Sequence, residues 1–167
     1  DSRTRPLTAR LPKPLLPAGG GPFLEHRLRA LAEAGVTHVA VLVGYRMQEV
    51  HKALGDGQRF GLALDFLVQE EQLGTGHAVA QAAGKLDRNF FCLNGDTLVT
   101  TETLRALASA KSAHAMAVAQ VADCSSYGLV KTRKGKLASI IEKGAEGPGK
   151  INAGIYRFAP SIFEVLE

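Results

Sequence analysis

The spacing of apolar residues along the chain changes repeatedly, and each change marks an element. Leu24, Leu28, Leu31 and Ala32 recur at a helical period, so residues 23–34 read as a helix, and Gly35 supplies its stop. Val39 to Val43 is then an unbroken apolar run inside residues 36–43. That continuity predicts a strand buried on both faces, as in a parallel sheet. A helix is predicted near residues 47–54, and Gly55-Asp56-Gly57 breaks it. Residues 62–68 read as the next strand. Residues 69–76 form a loop into a helix over 77–85, and residues 89–93 are a third strand.

A helix over 101–109 follows. Residues 115–121, 128–132, 137–142 and 151–158 read as strands, with Arg133-Lys134-Gly135-Lys136 a hairpin turn between the second and third of these. Pro160 opens a final helix. Residues 1–22 carry too many prolines and glycines for a regular helix or central strand and read as an ordered loop. The order is βαβα-like and then strand-rich. It predicts an α/β fold with a mostly parallel mixed sheet and a small antiparallel addition. In such sheets ligands bind beyond the carboxyl ends of the strands. Gly44-Tyr45, residues 69–76 and Asn94-Gly95-Asp96 all fall there.

Composition narrows the picture. A chain of 167 residues with 46% hydrophobic and 22% charged residues is expected to fold as one soluble domain. With 6% aromatic residues and no Trp it is a poor platform for stacked bases, so nucleic acid is not an expected partner. The net charge is +4, and Arg3, Arg5, Arg10 and Lys13 lie near the start, opposed there only by Asp1. Such a local cluster suits a compact polyanion such as a triphosphate, although a solvated basic arm would look the same. Cys92 and Cys124 show no metal spacing, and Cys92 reads as a small buried hydrophobe. A reduced, cytoplasmic setting is the simpler expectation. No apolar run approaches the ~20 residues that span a bilayer, so no membrane role is expected.

Four short stretches could carry chemistry. Asp96 stands at a strand end, where a carboxylate is a hard ligand for Mg²⁺, and Gly95 lets a ligand approach the backbone. The same tripeptide also suits a plain turn. Gln69 has an amide that both donates and accepts, as reading a base edge requires. Gly74-Thr75-Gly76 before a helix allows close approach of a phosphate or planar ligand, and equally a helix cap at Thr75. Pro12 and Pro14 fix the reach of Lys13. Glu142-Lys143 and Asn152-Ala153-Gly154 suit sugar hydroxyls and a sugar's phosphate, or a surface ion pair and a turn. His26, His38, His51 and His114 lack ligand spacing and read as structural or exposed.

Taken in order, the Arg-rich loop, Pro12-Lys13-Pro14, Gln69 with Leu73-Gly74-Thr75-Gly76, Asn94-Gly95-Asp96, Tyr127-Gly128, Glu142-Lys143 and Asn152-Ala153-Gly154 resemble the sugar-1-phosphate nucleotidylyltransferases. The resemblance implies a Rossmann-like three-layer sandwich. It implies a Mg²⁺-dependent reaction of a nucleoside triphosphate with a sugar-1-phosphate, and leaves room for a homo-oligomer. By it, Arg3 and Lys13 grip the triphosphate and Asp96 holds the metal. Gln69, Gly74 and Thr75 take the nucleotide, and Tyr127, Gly128, Glu142, Lys143 and Asn152 take the sugar phosphate. The motif over residues 69–78 is most similar to uridylyltransferases for N-acetylglucosamine-1-phosphate, which favours UTP or dTTP with a glucose-type sugar. Residues 142–154 look more like guanylyltransferases for heptose- or mannose-1-phosphate. Asp1 departs from the glycine expected at the end of the family's first loop, as in a non-catalytic regulatory homologue. Residues 1–167 would be a catalytic domain lacking its first strand and glycine loop, and a C-terminal segment with a second metal carboxylate.

Overall fold

The structure is a computed structural model that describes residues 11–44, 47–69, 74–142 and 144–166. Lys13–Leu15 is a single 3₁₀ turn, followed by the two-residue strands β1 (Pro17–Ala18) and β2 (Gly21–Pro22), which pair antiparallel. Helix α1 (Phe23–Glu33) leads to β3 (His38–Val43), α2 (Met47–Leu54) and β4 (Ala63–Val68). Then come α3 (Thr75–Ala80), β5 (Phe90–Leu93) and α4 (Thr101–Ala108). Strands β6 (Ala115–Val121), β7 (Leu129–Arg133), β8 (Lys136–Ile141) and β9 (Gly149–Phe158) complete the fold before a 3₁₀ segment, Pro160–Val165.

Local chemistry explains most of these boundaries. In α1, Leu24, Arg27, Leu28 and Leu31 form one buried stripe at helical spacing. Gly35, at φ +90°, reverses the chain, and the amides of Gly35 and Val36 close back onto Ala32 O (2.9 Å) and Leu31 O (3.0 Å). The β7–β8 turn has positive φ at both central residues, Lys134 and Gly135, as a tight hairpin requires. Thr100 caps α4 by accepting from the Thr103 amide. Gly74 stands before α3, which therefore starts two residues earlier than the spacing predicts, and Thr75 is its first residue rather than its cap. After Pro160 the chain forms 3₁₀ geometry, not the predicted α-helix.

The mixed α/β architecture stands, with its balance shifted. Among the described residues β3 and β4 form one parallel pair, in register from His38↔Ala63 to Val43↔Val68. The larger sheet is antiparallel and built around β9, which pairs with β5, β6 and β7. The apolar run of β3 does lie in a parallel pair, as its continuity predicts, whereas the later strands form an antiparallel sheet. In β3, however, Ala40 is exposed while Val41 and Val43 are buried.

Two cores meet on α1. Leu15, Leu24, Leu28, Val41, Val43, Val50, Leu54, Phe60 and Leu62 fill the space around the parallel pair. Ala30, Leu31 and the fully buried Leu104 join α1 to α4, with Val39, Phe91 and Leu93 packed against them. The end of β5 is thereby fixed relative to α1. The predicted roles of the four histidines agree with their contacts. His26 lies 2.5 Å from Ala18 O, His38 contacts Thr37, and His51 and His114 meet Phe66 and Phe158 edge-on. Cys92 is half-buried, and burial pushes its thiol up to about 11. Among the described residues no helix is long and apolar enough to cross a membrane.

Candidate functional site

Among the described residues, the polar residues singled out in the sequence lie around two strand exits. The first is the exit of β5. Asn94 continues the β5–β9 ladder, its amide donating to Gly154 O at 2.9 Å. Its own carbonyl accepts from Thr97 N (3.2 Å) and from Arg27 Nη1 (2.9 Å). Arg27 comes from the apolar stripe of α1, is only 9% exposed, and its Nε has no protein partner. Burial lowers the pKa of this guanidinium, and the nearby charge of Asp96 partly restores it.

Asp96 Oδ2 accepts from Lys13 Nζ at 2.9 Å. Both side chains keep contact with solvent, at 39% for Lys13 and 56% for Asp96. That hydrogen bond, together with the charges of Lys13 and Arg27, holds the Asp96 carboxyl below the usual carboxylate range. Pro12 and Pro14 do limit where Lys13 sits. The turn closes through Leu15 N to Pro12 O (2.8 Å), and Leu15 anchors it in the core.

Strand β9 brings Asn152, and across it Gly128 and Glu142, toward the same place. Strand β6 runs along one edge of β9, so β5 and β7 share the other edge. Leu93 pairs with Ile155 and Leu129 with Ile151, which leaves Asn152-Ala153-Gly154 facing the gap between the end of β5 and the start of β7. The β6 ladder also shifts register opposite this tripeptide. Gly154 has φ +68°, and a Cβ there would stand 2.6 Å from Asn94 Nδ2. Both the backbone and the packing therefore require glycine. Asn152 braces the bend, accepting from Gly154 N (2.9 Å) and donating to Tyr156 Oη (2.6 Å).

Leu129 also pairs with Ile141, so Gly128 lies between Asn152 on β9 and Glu142 after β8. A Cβ on Gly128 would be 3.4 Å from Glu142 Oε2. Glu142 and Tyr127 are exposed. Arg3 and Lys143 lie outside the described residues.

The second exit is that of β4. The Gln69 amide extends the parallel ladder by donating to Val43 O at 2.9 Å. The Gln69 side chain lies 3.0 Å from His77 Nδ1 (atom Nε2), and Gln81 Nε2 lies 3.2 Å from the other ring nitrogen. Gly74, at φ +101°, turns the chain into α3, and the Ala78 amide bonds back to its carbonyl (3.1 Å). Thr75 and Cys92 line an apolar cavity of about 170 Å³ with Val79, Tyr156 and Phe158.

The structure thus joins Lys13 to Asp96, and sets Gly128, just before β7, between Asn152 within β9 and Glu142 just after β8. Gln69, Gly74 and Thr75 sit on the other exit. Sequence reading missed Arg27, His77 and Tyr156. Only Arg27 left a signal, a charge at a stripe position between Leu24 and Leu28. Among the described residues no group of three or more His, Cys, Asp or Glu side chains forms a ready-made metal cage. The donor chemistry at Asp96 still fits Mg²⁺, which is taken by one or two carboxylates plus substrate phosphates.

Comparison with known proteins identifies the family. Residues 1–167 match the family model described as nucleotidyl transferase. A mannose-1-phosphate guanylyltransferase of Mycobacterium tuberculosis is 34% identical over 98% of this chain and 47% of its own length. The bifunctional protein GlmU of Methanococcus vannielii is 31% identical over 99% of the chain and 40% of its own length. The chain therefore spans about half the length, or less, of these curated relatives. A crystal structure of HddC from Yersinia pseudotuberculosis complexed with GMP-PN superposes with a TM-score of 0.77 at 28% identity, covering 92% of this chain and 70% of the other.

Proposed function

The chain belongs to the nucleotidyl transferase family, and from that premise we propose that it carries the reaction centre of a sugar-1-phosphate nucleotidylyltransferase. A phosphate oxygen of the sugar-1-phosphate bonds to the α-phosphorus of a nucleoside triphosphate. The bond from that phosphorus to the bridging oxygen breaks, and pyrophosphate leaves. The observation that carries this reading is the 2.9 Å pair of Lys13 and Asp96 at the end of β5.

Each ion of that pair has a natural successor in the reaction. Lys13 would take a substrate phosphate in place of Asp96, and Asp96 would be the carboxylate to hold a divalent cation, which would supply charge neutralisation there. Both substrates are anions, and cationic groups are needed to hold them together. Mg²⁺ held by Asp96 would neutralise charge developing on the phosphate oxygens. Arg3, by its motif position, adds to the grip on the triphosphate. Gln69 is assigned to the base, with Gly74 and Thr75 admitting the nucleotide. Tyr127, Gly128, Glu142, Lys143 and Asn152 are assigned to the sugar phosphate. Asn152 would use its second amide hydrogen, since its oxygen and one hydrogen already brace β9.

A guanine nucleotide with mannose-1-phosphate is the reading the relatives favour, and heptose-1-phosphate rests on the motifs of residues 142–154. Besides the mycobacterial protein, those of Candida albicans and Neurospora crassa are named mannose-1-phosphate guanyltransferases. The uridine or thymidine reading rests on the motif of residues 69–78. The test is pyrophosphate release by the purified protein with Mg²⁺. GTP, UTP, dTTP, CTP and ATP would each be paired with mannose-, heptose-, glucose- and N-acetylglucosamine-1-phosphate. Release is expected with GTP ahead of UTP. Release with no pair would replace the enzyme reading with that of a non-catalytic homologue.

A further inference from the structure

His77 was not among the residues singled out by sequence, yet both of its ring nitrogens face side-chain amides. Gln69 Nε2 lies 3.0 Å from Nδ1, and Gln81 Nε2 lies 3.2 Å from Nε2. A neutral imidazole has one N–H donor and one bare acceptor nitrogen. It must therefore accept from one amide and donate to the other. When Nδ1 is the acceptor, Gln69 turns its NH₂ to the ring and its oxygen away. When Nδ1 carries the proton, Gln69 turns its oxygen to the ring and its NH₂ away. The proton on the ring and the orientation of Gln69 are a single choice.

Gln81 makes the same choice from the other side. It is exposed, four residues along the chain from His77, and just past the end of α3. Gln69 is tied at its backbone to Val43, so its amide group is the part left to turn. We infer that His77 is a positioning residue for base selection: linked to Gln81, it fixes which polar atom Gln69 presents to the nucleotide base. This rests on the reading of Gln69 as a base contact. Guanine and uracil carry an N–H donor at the imino position of the pairing edge, while adenine and cytosine carry an acceptor there. A Gln69 that presents oxygen and one that presents NH₂ therefore favour different bases.

Two surface substitutions separate the states. In Gln81→Glu the new group only accepts, which places the ring proton on Nε2 and turns the Gln69 oxygen outward. In Gln81→Lys the new group only donates, which places the proton on Nδ1 and turns the Gln69 NH₂ outward. The purified protein and both variants would be studied at a pH where the ring is neutral, as the histidine ¹⁵N resonances report. Those resonances also identify the tautomer. Dissociation constants for GTP, UTP, ATP and CTP would be measured on the same samples.

Opposite tautomers in the two variants are expected. The ratio of GTP and UTP binding to ATP and CTP binding should move in opposite directions, by roughly three- to tenfold each, the worth of one neutral hydrogen bond. The same tautomer in both variants, or opposite tautomers with an unmoved ratio, would overturn the inference. If the unsubstituted protein bound none of the four nucleotides, the assignment of Gln69 to the base would fall and base selection with it. The ring tautomers and the Gln69 amide resonances would then decide whether the linkage itself exists.

Discussion

The two strand exits are built differently. At the end of β5 Asn94 and Asp96 have partners far along the chain. Asn94 is pinned by Arg27 and Gly154, and Asp96 by Lys13, 83 residues away. At the end of β4 the side-chain contacts are local: Gln69 meets His77, and His77 meets Gln81. Long-range pinning fixes a position that bond making cannot let wander. A local linkage turns on one or two exposed residues without disturbing the core. The proposed chemistry belongs at the first exit and the choice of base at the second.

The sharpest way to break that division is to remove charge at the first exit. Asp96→Asn and Lys13→Ala should each lower turnover at least about a hundredfold, as loss of a group aimed at developing charge does. Both sites are partly exposed, so the thermal midpoint should scarcely change. Near-normal pyrophosphate release from either variant would remove that residue from the mechanism. A comparable loss from Gln81→Glu would dissolve the contrast between the exits.

Glycine substitutions set the exits against each other as folds. Gly154→Ala meets both a positive φ and the Asn94 side chain 2.6 Å from the new carbon, within a paired strand. Gly74→Ala meets positive φ alone, with nothing within 4 Å. Backbone strain of about 1–3 kcal/mol applies to each, and only Gly154→Ala adds a clash that must displace Asn94. Urea midpoints should therefore rank Gly154→Ala well below Gly74→Ala, and Gly154→Ala should also lose turnover. Equal midpoints would mean that the β5 exit relaxes as easily as the β4 loop.

Legibility in sequence followed the same division. Helical and strand periods placed most elements within a few residues, because Leu24, Leu28 and Leu31, or Val41 and Val43, report burial directly. Pairing partners were hidden. Nothing in residues 149–158 says that β9 will take β6 on one edge and both β5 and β7 on the other. That choice, more than any motif, brings Asn152 toward Asn94 and Gly128. Motif order named Lys13 and Asp96 without showing that they touch. Arg27 is hard to foresee inside a helix, since a buried guanidinium is rare and its partner is a backbone carbonyl that carries no sequence signature. His77 stood inside a motif already quoted, but its role depends on an amide that only the fold sets against it.

The smallest expected effect concerns pH, and it tests whether the Lys13–Asp96 pair serves the reaction rather than the fold. The folded-state pKa of Asp96 lies below its unfolded value, first because of the Lys13 hydrogen bond. Its contribution to stability is therefore fully present above the unfolded value, about 4. It is lost as pH falls through the lower, folded value. An ion pair this exposed contributes no more than about 0–1 kcal/mol. Asp123, held low by Ser125 and the Gly147 amide, and Glu102, at the start of α4, are also depressed and add slopes in the same acid window. Subtracting the urea-unfolding free energies of Asp96→Asn from those of the unsubstituted protein, between pH 2 and 6, isolates the one carboxylate. A small difference that vanishes toward pH 2 is expected, beside a large loss of turnover at neutral pH. A difference of several kcal/mol would instead make the pair a structural brace, and the division between the two exits would have to be redrawn.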